Sequence, residues 1–267
     1  RNVPHIHKSK IMQTQIFHKP EIQQINFADS RFYTMDKVKY YPSVTEILSV
    51  YPRGFGFDEW LKNVGANSKD IAERAARIGS KIHNLSEDLN NGVELKWADE
   101  NGNALFSIDE WKLLLRFADF WKKCTPTLIA NEQSFCSPAL KMGGTLDRVL
   151  MIGGKRFLID IKTSNYLHTS HELQLSAYAE LWNESNPDSP IEETGILWLK
   201  ASVRTDKIDL DKNIFQGVTD AGAWQLKVYE RHYTDAYKIF LHTQAIWQEE
   251  NPNYRPMNLI LPDTIKL

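Results

Sequence analysis

Between Ser68 and Asn91 the apolar residues Ile71, Ala75, Ile78, Ile82 and Leu85 recur three or four positions apart, which is the spacing of one helix face. The segment predicts a long amphipathic helix that opens at Ser68 and closes at Asn91–Gly92. A second helix is expected from Ile108 to Lys123, with Trp111, Leu114, Leu115, Ala118 and Trp121 turned inward. Upstream, "YPSVTEIL" reads as a helix start. Ser43 as N-cap with Glu46 three residues on makes a capping box, and Pro42 discourages helix before it. "RGFGF" breaks that helix, and a short one is expected over Asp58–Val64. Before Tyr41 the chain is polar and irregular, with one or two short strands around Arg31–Tyr40.

Downstream the texture changes. "TLIANEQSFCS", "MGGTLDRVLMI" and "KRFLIDIKTS" read as three successive strands, the last two joined across Gly153–Gly154, a strong hairpin turn signal. Helix returns at His171–Glu184, followed by strands at Thr194–Ala201 and Ala223–Arg231. A closing helix from Asp235 to Glu250 carries Tyr237, Phe240, Leu241 and Trp247. This order predicts one mixed α/β domain around a central sheet, with the helical residues 42 to 125 packed on one side.

Alternation along "RFLIDIKTS" raises a chemical question. Phe157, Ile159 and Ile161 fall on one face of the strand, and Leu158, Asp160 and Lys162 on the other. Burying charge is costly unless it is paired or coordinates a metal. A hairpin folded about Gly153–Gly154 also brings Asp147 opposite roughly Asp160, so two carboxylates meet. They need a cation between them, or one stays protonated. A divalent ion with hard oxygen ligands, magnesium or manganese, answers that need. Gly143 and Gly144, just before Asp147, let something approach the backbone closely. His83 and Glu87, four apart on the long helix, share a face and could supply an imidazole or carboxylate to the same ion. Gln174 and Tyr178 are one turn apart in the following helix. Each pair also has a plainer reading, as a surface contact or as a helix docking on a sheet.

The chain is 42% hydrophobic and 25% charged, with a formal net charge of -2. A sizeable core is expected, and nucleic-acid binding would need a local basic groove rather than the field of the whole protein. Two cysteines, Cys124 and Cys136, are too few for a zinc or iron–sulfur cluster and suit a reducing cytoplasm. No uninterrupted apolar run of membrane-spanning length is present.

Taken in order, "PSVTEIL", "GSKIHNLSE", "GTLDRV", "IDIKTS" and "QLSAYAELW" resemble the PD-(D/E)XK nuclease superfamily. The likeness is nearest to its RecB-type branch, which includes phage exonucleases and the mitochondrial genome maintenance exonuclease. The resemblance implies a restriction-endonuclease-like core, a mixed sheet flanked by helices and preceded by a helical subregion. It places an extension at 1–40, a single nuclease domain at 41–250 (helical part 41–125, sheet core and closing helix 126–250), and a tail at 251–267. It implies Mg²⁺, replaceable by Mn²⁺, held by His83, Asp147, Asp160 and the carbonyl of Ile161. Lys162 would be the catalytic lysine, Glu87 an auxiliary acid, and Gln174 with Tyr178 the accessory pair.

The implied activity is DNA phosphodiester hydrolysis in replication, recombination or repair, by an exonuclease acting on single strands or free ends. A junction-resolvase-like endonuclease and a catalytically silent DNA-binding module are the alternatives. Contacts to DNA are expected at Arg53, Phe55, Arg74, Arg77, Lys81, Thr163 and Ser164, with Phe57 and Trp60 as further stacking candidates. No iron–sulfur cluster, helicase motif or membrane attachment is expected. The implied location is the cytoplasm of a bacterium or phage-infected cell, with a mitochondrial one left open.

Overall fold

A computed structural model describes residues 22–27, 30–53, 59 and 62–256. Among the described residues, ten strands form two sheets. Strands β1 (Gln23–Phe27), β2 (Ser30–Thr34) and β3 (Tyr41–Pro42) make a small antiparallel sheet. Strands β4 (Thr127–Ser137), β5 (Met142–Ile152), β6 (Lys155–Lys162), β7 (Glu193–Ala201), β8 (Lys207–Asp209), β9 (Ile214–Thr219) and β10 (Gly222–Val228) build the large one, in the order β4-β5-β6-β7-β10-β9-β8. Within the large sheet β6 and β7 run parallel, and a parallel pair needs a crossover. Helix α4 (Thr169–Ser185) provides it.

The alternation seen in the sequence governs the layers. Leu158 packs with Val149, Ile196, Leu173 and Phe240 on one face, while Phe157, Ile159 and Ile161 pack with Phe117, Phe120 and Trp224 on the other. The first face is covered by α1 (Val44–Ile47), α4 and α5 (Tyr233–Glu250). The second is covered by α2 (Ser68–Asn90) and α3 (Ile108–Cys124). The helical residues 42 to 125 are therefore not all on one side. Val44 and Ile47 join the face opposite α2 and α3, because the Ser43-capped helix is a single turn that continues only as a 3-10 turn at Leu48–Val50.

Helix α3 buries Leu113, Leu114, Phe117, Phe120 and Cys124, whereas Leu115 and Ala118 face solvent. The bulky aromatic stripe, rather than the assumed Trp111–Leu115–Ala118 phase, sets its rotation. Leu241 of α5 is likewise exposed while Phe240 is buried. Strands β8 and β9 lie where the sequence showed none. β8 is a three-residue edge strand with two charges, and β9 carries Gly217, where a Cβ would run into the Trp224 indole. "RGFGF" beyond Arg53 lies outside the described residues. So does most of the helix expected at Asp58–Val64, of which Glu59 and residues 62–64 are helical.

Gly143 and Gly144 explain how the two sheets and α4 meet at one place. A Cβ on Gly143 would collide with the Tyr33 side chain of β2, and one on Gly144 with the Tyr178 ring of α4. Gly144→Ala is expected to destabilise the fold by about 1–3 kcal/mol through overpacking. A urea melt matching wild type would show that the ring is not pressed against this strand.

Candidate active site

The β5–β6 register runs Ile152↔Lys155 to Arg148↔Ile159, and one step further sets Asp147 opposite Asp160. Asp147 Oδ2 accepts the Ile161 N–H at 2.8 Å and stands 3.2 Å from His83 Nδ1. The other ring nitrogen of His83, Nε2, lies 2.8 Å from the Ile161 carbonyl oxygen. Helix α2 thus delivers its imidazole to the end of the central strand, with an acceptor at each nitrogen. That arrangement suits a doubly protonated ring. Burial opposes the charge, but Asp147, Glu132 and Asp160 outweigh it and hold His83 well above its ordinary value of 6.5.

Glu132, which the sequence did not single out, belongs to the same cluster. The β4–β5 pairs Asn131↔Arg148 and Gln133↔Leu146 place it directly across from Asp147. Its φ of 45° is left-handed, a conformation uncommon for a non-glycine residue. Its Oε1 lies 3.8 Å from His83 Nδ1 and accepts from Arg148 Nη1 at 3.0 Å. Among the described residues, ligand atoms of His83, Glu132 and Asp147 lie within 4.8 Å of one another, a grouping able to hold a metal ion.

Arg148 is only 1% exposed and ties this corner together. It donates to Asn90 Oδ1 (2.9 Å), Ser86 Oγ (2.9 Å), Glu132 and the Asp147 carbonyl (2.6 Å).

Asp160 is buried beside Lys162, whose Nζ stands 2.6 Å from Oδ2. The two form a close ion pair at the C-terminal end of β6. Burial pushes the Asp160 carboxyl up to about 6, with Lys162 opposing and neighbouring Asp147 adding to the rise. Asp147 itself is held low: burial works against its charge, but His83, Lys162 and the Ile161 N–H prevail. For Lys162, burial disfavours the ammonium, yet Asp160 and Asp147 raise its pKa.

His83, Glu132, Asp147, Asp160, Ile161 and Lys162 border a cleft of about 1110 Å³, whose lining also includes Thr163, Ser164, Gln174 and Tyr178. Gln174 Nε2 donates to the Tyr178 hydroxyl at 3.1 Å, and burial pushes that phenol far above its usual range. One wall is the N-terminal half of α2, where Ile71, Arg74, Ala75 and Ile78 face the cleft. Gln24 and Arg31 from the small sheet stand in another.

The sequence profile of the PD-(D/E)XK nuclease superfamily matches residues 57–251. The chain belongs to the PD-(D/E)XK nuclease superfamily. It is therefore a nuclease, and this family's nucleases use divalent metals. Among solved structures it is similar to the protein named "Putative exonuclease" from Eubacterium rectale, at 12% identity, covering 85% of this chain and 91% of that one, with a TM-score of 0.40. It is also similar to the protein named SSO0001, at 16% identity, covering 59% and 70%, with a TM-score of 0.24. No curated protein matches.

Within this nuclease, His83, Asp147, Asp160, Ile161, Lys162, Gln174 and Tyr178 share one cleft, as do Arg74, Thr163 and Ser164. Glu87 is not among the residues bordering it. Lys81 turns away to Glu110 of α3 at 2.9 Å and lies over the Phe106 ring. Arg77 sits 3.7 Å from Glu73 on the exposed face of α2. Arg53 borders a neighbouring cavity, while Phe55, Phe57 and Trp60 lie outside the described residues. Among the described residues, no helix is long and apolar enough to cross a membrane.

The protonation pattern has a measurable consequence. A cation held by His83 and Asp160 would need a neutral ring nitrogen and an ionised carboxylate, so its binding would displace protons from His83 and, near or below pH 6, from Asp160. Mn²⁺ affinity is expected to rise with pH from below 6 into the alkaline range, with proton release seen by calorimetry in buffers of different ionisation enthalpy. An affinity independent of pH over that range would contradict this site.

Proposed function

We propose that this nuclease is a Mg²⁺-dependent deoxyribonuclease that degrades DNA from free ends, taking a single strand into the cleft. The observation that supports it is the union of the acidic cluster with the projecting half of α2. From Lys69 to Arg77 that helix is exposed on every side, yet Ile71, Ala75 and Ala76 face the catalytic floor beside Arg74. An apolar wall with interspersed cations suits the faces of unpaired bases and their phosphates.

In this reading Asp147, Asp160, the Ile161 carbonyl and deprotonated His83 hold the cation, with Glu132 as a further oxygen donor. When bound, the ion polarises the scissile phosphate and lowers the pKa of attacking water. Lys162 keeps its proton beside Asp160 and Asp147 and acts as a point charge on the phosphoryl oxygens, rather than as a base. Gln174 fixes the Tyr178 hydroxyl at the cleft floor. Lys81, paired with Glu110, braces α2 on α3.

The test is degradation of end-labelled linear single strands and closed single-stranded circles, with Mg²⁺ and with EDTA. Loss of linear DNA only, abolished by EDTA, is expected. Cutting of circles would favour an endonuclease instead, and no hydrolysis under any condition would leave a binding module.

A further inference from the structure

A second cavity of about 590 Å³ adjoins the catalytic cleft and shares Thr45, Lys162 and Gln174 with it. The remaining wall includes Arg53, His168, Thr169 and His171, and among the described residues no carboxylate lines it. The contrast with the catalytic cleft is sharp, since that cleft holds Glu46, Glu132, Asp147 and Asp160.

His171 accepts the His168 N–H on Nδ1 at 3.3 Å. It is kept neutral by burial, then by Lys162 and His168, which together push its pKa to about 3. A neutral ring that accepts on Nδ1 carries its proton on Nε2 and remains a donor. The hydroxyls of Ser49, Thr169 and Ser170 add donors to the same wall.

We propose that this cavity, with no carboxylate among its described lining residues, is a subsite for a terminal phosphate monoester on the strand being degraded. The inference rests on the end-directed reading above. Lys162 and Gln174 belong to both spaces, so a phosphodiester held at Lys162 has its neighbouring phosphate within reach of the second cavity. Charge then selects what enters. A terminal monoester carries about −1.5 to −2 at pH 7, against a single charge on an internal diester. In a cavity lined by Arg53 and Lys162, and by no carboxylate among the described residues, the more highly charged group is held more strongly. A monoester at either end of the strand has this chemistry, and the substrates tell the two apart.

The experiment compares kcat/KM in Mg²⁺ for single strands bearing 5′-phosphate, 5′-hydroxyl, 3′-phosphate or 3′-hydroxyl ends, alongside a closed circle. One phosphorylated end is expected to be degraded about tenfold faster than its hydroxyl counterpart, equivalent to about 1.4 kcal/mol of transition-state binding. Thr169→Glu sets a carboxylate in the cavity. The position is exposed and lies in the first turn of α4, where an acid is tolerated. This variant is expected to erase the preference by slowing the phosphorylated end to the hydroxyl-end rate.

Equal rates on phosphorylated and hydroxyl ends, with circles intact, would overturn the subsite and leave the end-directed reading standing. A Thr169→Glu variant that slows every substrate alike would also overturn it. Cleavage of the circle would remove the end-directed reading, and the subsite with it.

Discussion

Asp160→Asn is expected to lower Mg²⁺-dependent turnover by about 10³-fold or more while the metal-free protein melts at the same or a higher temperature. The loss of turnover follows from removing one cation ligand and the counter-charge that holds Lys162 beside the phosphate, each worth several kcal/mol in a dry site. The stability claim follows from Asp160's raised pKa of about 6, against an ordinary value of 3.8. A carboxyl raised by folding binds its proton more tightly in the native state. Stability therefore falls as pH rises from about 4 to about 6 and stays reduced above that.

Asparagine never takes on this cost, so its advantage is expected near neutral pH and should vanish near pH 4. Lys162→Ala should also abolish cleavage. Turnover near wild type in either variant would refute the assigned roles. A variant that lost both turnover and melting temperature near neutral pH would mark Asp160 as a structural ion-pair partner instead.

Arg148→Met is expected to cost about 3–5 kcal/mol of folding stability, the penalty for breaking a buried, hydrogen-bonded charge cluster by removing one member. Its guanidinium is the shared donor to Ser86, Asn90, Glu132 and the Asp147 carbonyl. Removal strands polar groups on α2, β4 and β5 together. Arg148→Lys keeps the charge but not the fork of donors, so it should recover only part of the loss. Chemical denaturation gives the answer directly. A loss under about 1 kcal/mol would put Arg148 in the class of surface pairs, with no part in shaping the site.

These two residues show what was readable in advance. Asp160 was visible because a charge stood in an apolar strand and the Gly153–Gly154 turn gave its register against Asp147. Arg148 and Glu132 were not singled out, although the same arithmetic applied. The preceding hairpin closes at Ser137↔Met142, and counting back from that turn sets Glu132 across from Asp147. Pro138–Lys141 was not read as a tight turn, so the register stayed hidden, and the left-handed φ at Glu132 leaves no local signal.

Strands β4 to β7, β10 and the four long helices were legible in the sequence: α2 and α3 each carry an apolar stripe, and the apolar runs of β5 and β6, buried on both faces, stand between turn residues. β8 and β9 escaped because one is a charged edge and the other is interrupted by Gly217. The small sheet at β1–β3 is held by tertiary contacts, among them Tyr33 against Gly143 and its hydroxyl 3.0 Å from Thr145 Oγ1, which no local pattern announces. The partition of the helices between two faces was missed for a related reason. A single capped turn at Val44–Ile47 carries too few apolar positions to reveal which face it seeks.

The claim that these side chains share a divalent cation is tested most directly by anomalous diffraction from crystals soaked in Mn²⁺ at a concentration that supports cleavage. The account predicts one strong peak among Asp147, Asp160, the His83 ring and the Ile161 carbonyl oxygen, lost in Asp147→Asn. Absence of any peak there, or a peak only at a site remote from this cluster, would contradict it.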